Sequence, residues 1–258
     1  MLEYVLAEAS GFALITGEVG CGKTTVVQHF LEHIGRKVNV ALITNTHAGM
    51  GALLPWVVES LGLEPGQLSP SELYRRFARH AKAEYDDRQR IVLVIDEAQN
   101  LGVGGLEELR VLSNLNTGKE MVLQTILIGQ PELRNLLGLN ELRQFAQRIA
   151  IECHLEALQL DETIAYVRHR VRVAGGQSEL FAPEALDVIH ACTGGVPRLI
   201  NTVCDSALVY SFAEQRAAVE ADIVEQLLED RAAGGLLQLK GPHQADRSAL
   251  SFGLPAAV

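Results

Sequence analysis

The segment ITGEVGCGKTTVVQHF, Ile15–Phe30, decides the fold. Inside it, GEVGCGKT from Gly17 to Thr24 fits the spacing G-x-x-x-x-G-K-[ST]. The glycines let the backbone turn so that successive N–H groups point inward at phosphate oxygens. The loop follows the apolar strand FALIT and opens the helix KTTVVQHFLEHI, whose unsatisfied N-terminal N–H groups and dipole favour anions. The expected phosphate contacts are Gly17, Glu18, Val19, Gly20, Cys21, Gly22, Lys23, Thr24 and Thr25. Lys23 is expected at the β- and γ-phosphates, and the Thr24 hydroxyl at a Mg²⁺ that bridges them.

A second segment, IVLVIDEAQNL, supplies what a phosphate loop still needs. Asp96 and Glu97 close a buried strand, and ligands bind at the carboxyl ends of parallel strands. Asp96 is expected in the metal's shell, with Glu97 orienting the attacking water. No N-K-x-D segment of the guanine-reading kind is present, so ATP is the expected nucleotide.

Working outward, FALIT, VNVALIT, IVLVI, LQTILI and IAIECHL read as short strands, with helical segments between them. In LEELRVLSNL, Leu106, Leu109, Leu112 and Leu115 recur every three residues as one apolar stripe. This alternation predicts an α/β core over residues 1–156, a three-layer sandwich on a parallel five-stranded sheet. Strand signals then stop. LDETIAYVRHRVRVAGG is expected to be a helix ending at Gly175–Gly176. A second helix starts at Pro183 and ends at Gly194–Gly195. VPRLINTVCDSALVYSFAEQ and ADIVEQLLEDR complete a small all-helical lid domain over 157–230, and 231–258 reads as a flexible tail.

The bulk properties narrow the partners. With 48% hydrophobic residues the chain can bury a sizeable core, and its net charge of −10 disfavours sequence-independent binding to a phosphate backbone. The four cysteines form no CxxC pair, which suits a reducing cytoplasm. No apolar run is long enough to span a bilayer, so a membrane role, peripheral to the inner membrane, would go through a partner.

Three other features are weighed and set aside. HFLEH, His29–His33, matches the zinc-protease pattern H-x-x-E-H, but no third ligand is evident in the sequence and a solvated helix face is the favoured reading. Cys21 could have its thiol pKa lowered by Lys23 and the helix terminus, yet a small residue in a tight loop suffices to explain it. Arg168, Arg170 and Arg172 read as a solvated helix face rather than a DNA surface.

Together LITGEVGCGKTT, VLVIDEAQNL, LEELRVLSNLN, LIGQPELRNLL, LRQFAQRI and GGVPRLINTVCDSAL resemble, in order, the AAA+ ATPases of the ExeA type, also called general secretion pathway protein A. The resemblance runs from Gly11 to Asp230. It makes Gly17–Thr24 the Walker A loop, Asp96–Glu97 the Walker B pair, Gln130 sensor 1 and Arg198 sensor 2 at the start of a lid helix. It makes Arg148 the arginine finger that reaches into a neighbouring subunit. Arg143 is the rival, five residues earlier and about 140° around a helix. Asn45 is expected to hold Glu97 in an inactive pose. Family members carry an upstream segment that helps wrap adenine, and MLEYVLAEAS resembles its end, so an incomplete front is expected. Longer members continue into a membrane-spanning helix and a peptidoglycan-binding domain, for which this chain shows no counterpart. The implied activity is ATP hydrolysis by a homo-oligomeric ring or arc that remodels a protein partner in secretion or export. Two readings stay open beside it: a DNA-transposition helper of the MuB and TniB type, and a slow nucleotide-gated binding module.

Overall fold

Strand β1, Phe12–Gly17, is buried along its whole length, and that follows from its place. In the computed structural model, which describes residues 11–34, 38–44, 46–47, 49–87, 89–117 and 120–234, it lies inside a five-stranded sheet. The other strands are β2 (Val38–Ile43), β3 (Arg90–Ile95), β4 (Leu123–Gly129) and β5 (Ile149–Leu155). Their order is β2-β3-β4-β1-β5 and every pairing is parallel. A parallel sheet needs crossovers, and these cover both of its faces. Helix α1 (Lys23–His33) follows β1, and α2 (Leu53–Ser60) and α3 (Pro70–Asp86) separate β2 from β3. Helix α4 (Gly102–Leu112), entered through a 3₁₀ turn at Ala98–Leu101, links β3 to β4. Helices α5 (Pro131–Leu137) and α6 (Arg143–Ala146) link β4 to β5.

Alternation along the strands sorts side chains into two layers of core. Ala13, Ile15, Val92, Val94, Ile126 and Ile128 pack with Val27 and Phe30 of α1. Phe12, Leu14, Ile91, Leu93 and Ile95 face the opposite way, against Val57, Phe77, Leu106, Leu109, Leu133 and Phe145. Phe12 and Phe145 stack with ring centroids 4.6 Å apart. The result is a helix–sheet–helix sandwich. Strand β5 sits at the sheet's edge, and there the burial alternates between half-buried Ile149, Ile151, Cys153 and Leu155 and the exposed residues between them.

Helix starts are set by local chemistry. Ser69 and Glu72 form a reciprocal capping box ahead of α3, with Pro70 in the first turn. Ala52, before α2, has no capping side chain. Glu108 of α4 supplies the cap instead, accepting from the Leu53 and Leu54 N–H groups at 2.7 and 2.9 Å. One carboxylate therefore satisfies two orphan donors of another helix and pins the two together.

The chain divides into two compact units, Met1–Leu155 and Glu156–Val258. In the second, helices α7 (Leu160–Val173), α8 (Pro183–Thr193), α9 (Pro197–Ala213) and α10 (Ala221–Gly234) enclose their own core. It includes Val167, Val171, Leu186, Ile189, Val203, Ile223 and Leu227. Gly194, at φ 59, ends α8 as expected. Helix α10 runs to Gly234, past the expected start of the tail at 231, and Arg231 anchors this last turn by donating to Ser206 Oγ at 2.6 Å. Residues 235–258 and MLEYVLAEAS lie outside the described residues, as does Asn45. No helix among the described residues is long and apolar enough to cross a membrane.

Candidate active site

The strand order explains why distant residues meet. Strand β4 lies between β1 and β3, with Gly129 level with Thr16 and Leu127 level with Ile95. The three loops leaving these carboxyl ends therefore share one rim. They carry the phosphate loop, the acid pair and Gln130.

Gly20 (φ 86) and Gly22 (φ 89) adopt left-handed backbone, which lets the loop fold back over its own start. Lys23 begins α1 and is 6% exposed. Its ammonium donates to the Gly17 carbonyl at 2.7 Å and the Glu18 carbonyl at 2.9 Å. Among the described residues no carboxylate pairs with it. A buried cation served only by carbonyl dipoles is costly unless an anion completes it. Glu18, Val19, Thr24 and Thr25 are exposed around the loop. Cys21 is buried, and burial pushes its thiol pKa up against the opposing charge of Lys23.

Thr24 donates its hydroxyl to Asp96 Oδ2 at 2.8 Å, joining residues 72 positions apart. Asp96 is 8% exposed, and its Oδ1 accepts the Glu97 N–H at 2.9 Å. Hydroxyl and carboxylate are hard oxygen donors of the kind Mg²⁺ takes, so this pair fits that ion. Glu97 has φ 52, an uncommon left-handed geometry for a residue with a side chain. Thr46 braces that bend: its hydroxyl is shared between the carbonyls of Asp96 (2.9 Å) and Glu97 (2.8 Å). Asn100 in turn donates to the Thr46 carbonyl at 2.9 Å.

The Glu97 carboxylate is held by two amides. Gln130 Nε2 donates to its Oε2 at 2.9 Å and Gln99 Nε2 to the same oxygen at 2.5 Å. Gln99 then reaches on, its Oε1 accepting the Gln130 N–H at 3.2 Å. Gly129 leaves room for this: a Cβ there would lie 2.7 Å from Gln99 Oε1 and from Leu133 Cδ2. The sequence alone does not single out Gln99 or Thr46. Both had a signal, a polar residue just past the end of a strand, but only the fold shows that the strands are neighbours.

Arg148 directly precedes β5, but α6 ends at Ala146, so a helical offset between Arg148 and Arg143 does not apply. Arg148 is half-buried, its Nη1 donating to Ser113 Oγ (2.9 Å) and the Arg110 carbonyl (3.3 Å) at the end of α4. Arg143 is exposed. Arg198 is exposed in the first turn of α9, within the second unit. Arg168, Arg170 and Arg172 are exposed on α7.

Comparison with known proteins agrees with this geometry. The AAA domain family matches residues 7–137. General secretion pathway protein A of Aeromonas hydrophila is 42% identical over 213 residues, covering 82% of this chain and 39% of that protein. The chain thus spans well under half of that relative. Among solved structures, ORC2 of Aeropyrum pernix in ADPNP–ADP complexes matches with TM-score 0.67 and 17% identity, over 89% of this chain and 64% of its own. Drosophila ORC bound to DNA matches with TM-score 0.60 and 17% identity, over 90% and 58%. At such identities the solved structures speak for the fold alone. A parallel sheet in this order, a glycine loop round a buried lysine and an acid pair across the rim fall together for one reason: this chain belongs to the AAA family of P-loop NTPases, in the group of general secretion pathway protein A.

Proposed function

We propose that the chain binds ATP with Mg²⁺ and hydrolyses it, and that subunits assembled in a ring or arc use the nucleotide state to remodel a protein partner in secretion or export. The observation that carries this reading is Lys23, a buried ammonium with no carboxylate partner among the described residues. A triphosphate supplies the missing charge. The loop N–H groups from Gly17 to Thr25 bind the phosphates, and Lys23 offsets charge on the β- and γ-oxygens. Thr24 and Asp96 would hold Mg²⁺, whose chemistry when bound is to neutralise phosphate charge. Glu97 orients water for in-line attack on the γ-phosphorus, whose bond to the leaving ADP oxygen breaks. Gln130 and Gln99 fix that carboxylate. Arg148 serves as the charge contributed across a subunit boundary, leaving Ser113 to do so, and Arg198 reports the γ-phosphate to a helical lid formed by 157–230. What supports secretion as the setting is the likeness to general secretion pathway protein A.

Lys23→Ala and Glu97→Gln separate the steps. The first loses ATP binding, and the second binds ATP and turns it over at least about 10²-fold more slowly. Full turnover in Glu97→Gln removes the assigned water-orienting role.

A further inference from the structure

The far end of α1 carries a second cluster that the nucleotide chemistry does not use. His29, Glu32 and His33 each offer one ligand atom, and these atoms all lie within 4.8 Å of one another. The sequence argues against a metal here for want of a third ligand. The helix supplies it, since positions i, i+3 and i+4 share one face and bring the Glu32 carboxylate beside both imidazoles. The two rings lie 4.4 Å apart, tilted by 53°. His33 Nδ1 is 2.7 Å from the His29 carbonyl. A carbonyl has no proton to give, so Nδ1 must carry the hydrogen and donate it. That fixes the tautomer and leaves the lone pair on Nε2, the arrangement in which a ligating histidine is oriented by its other nitrogen. His33 is also the last residue of α1, where the negative end of the helix dipole favours a cation.

We propose that His29, Glu32 and His33 form a binding site for a divalent transition metal of the Zn²⁺ type. Two nitrogens and one oxygen suit zinc, which takes such donors in tetrahedral geometry and often keeps one position open. They do not suit Mg²⁺, which demands oxygen ligands. The site is therefore separate in chemistry from the Thr24–Asp96 pair at the other end of the same helix. All three residues are exposed, and both histidines line a cavity of about 430 Å³ together with Phe30, Ile151 and Cys153. A fourth ligand from solvent or from a partner chain has access there. The zinc-protease reading gains nothing from this, because the carboxylate stands as a ligand and not as a base.

The test is calorimetric titration of the chelator-treated full chain with Zn²⁺ alone, in a background of excess Mg²⁺. One ion is expected per chain at micromolar affinity. His29→Ala and His33→Ala are each expected to weaken binding by more than about tenfold, the loss that even an outer-shell partner causes. The double variant His29→Ala/His33→Ala abolishes the event, and its unchanged circular dichroism shows that the fold survives. Stoichiometric Zn²⁺ uptake unaltered in the double variant, or no uptake by the wild-type chain, overturns the proposal.

Discussion

Lys23, Glu97 and Gln99 show how single side chains set the chemistry. Gln99 touches the Glu97 carboxylate with one end and the Gln130 main chain with the other, so it acts as a positioning residue for both. Gln99→Ala leaves the carboxylate in place but frees its angle. A misplacement of about 1 Å costs on the order of 10²-fold in rate. The expected result is a fall of that size in kcat with KM for ATP little changed. An equal rise in KM would mean that Gln99 contacts the nucleotide instead. Gly129→Ala drives a methyl against Gln99 Oε1 and Leu133, and overpacking of this sort costs about 1–3 kcal/mol. A lower denaturant midpoint together with slowed hydrolysis is the expected outcome.

At the scale of elements, Glu108 joins α2 to α4. Removing it as Glu108→Ala leaves the Leu53 and Leu54 N–H groups without their acceptor and should cost about 1–2 kcal/mol in urea unfolding. Much of the sheet is legible in the sequence, because short β-branched apolar runs such as IVLVI, set between helical segments, suit buried parallel strands. The phosphate loop was legible for the same kind of reason, a fixed spacing next to a strand. What the sequence could not show was lateral order. Thr46 and Gln99 acquire meaning only when β2, β3 and β4 lie side by side. The end of α6 at Ala146 is marked by no glycine or proline, so the sequence does not show that Arg148 lies off the helix that carries Arg143. The helical unit makes a separate prediction. Burial raises the thiol pKa of Cys192 to about 11 and of Cys204 to about 12. Both thiols are raised above their value in the unfolded chain, so the stability they contribute is complete below about pH 8.5 and declines as pH climbs toward those values. Urea midpoints of the full chain should fall between pH 9 and 11, and the fall should shrink in Cys192→Ala/Cys204→Ala. A pH slope untouched by that double substitution would place the cause elsewhere.

The whole molecule carries a net charge of −10, and the helix with three arginines keeps them exposed. Little affinity for duplex DNA is expected at physiological salt, and steeply salt-dependent binding would favour the transposition-helper reading instead. Assembly is tested by mixing. Glu97→Gln subunits and Arg148→Ala subunits are each expected, alone, to hydrolyse ATP at least about 10²-fold more slowly. If Arg148 acts across a boundary, mixed assemblies regain turnover, because some interfaces then hold an intact glutamate facing an intact arginine. The same mixture made with Arg143→Ala tells the rival arginine apart.

Everything rests on the buried ammonium of Lys23 having a triphosphate for its partner. Equilibrium binding of ATP in Mg²⁺, measured on the wild-type chain and on Lys23→Ala, tests this most directly. Saturable, Mg²⁺-strengthened binding is expected, weakened in Lys23→Ala by about 2–5 kcal/mol, the cost of truncating one partner of a buried charge pair. Equal affinity in the two proteins, or no affinity in either, would contradict it.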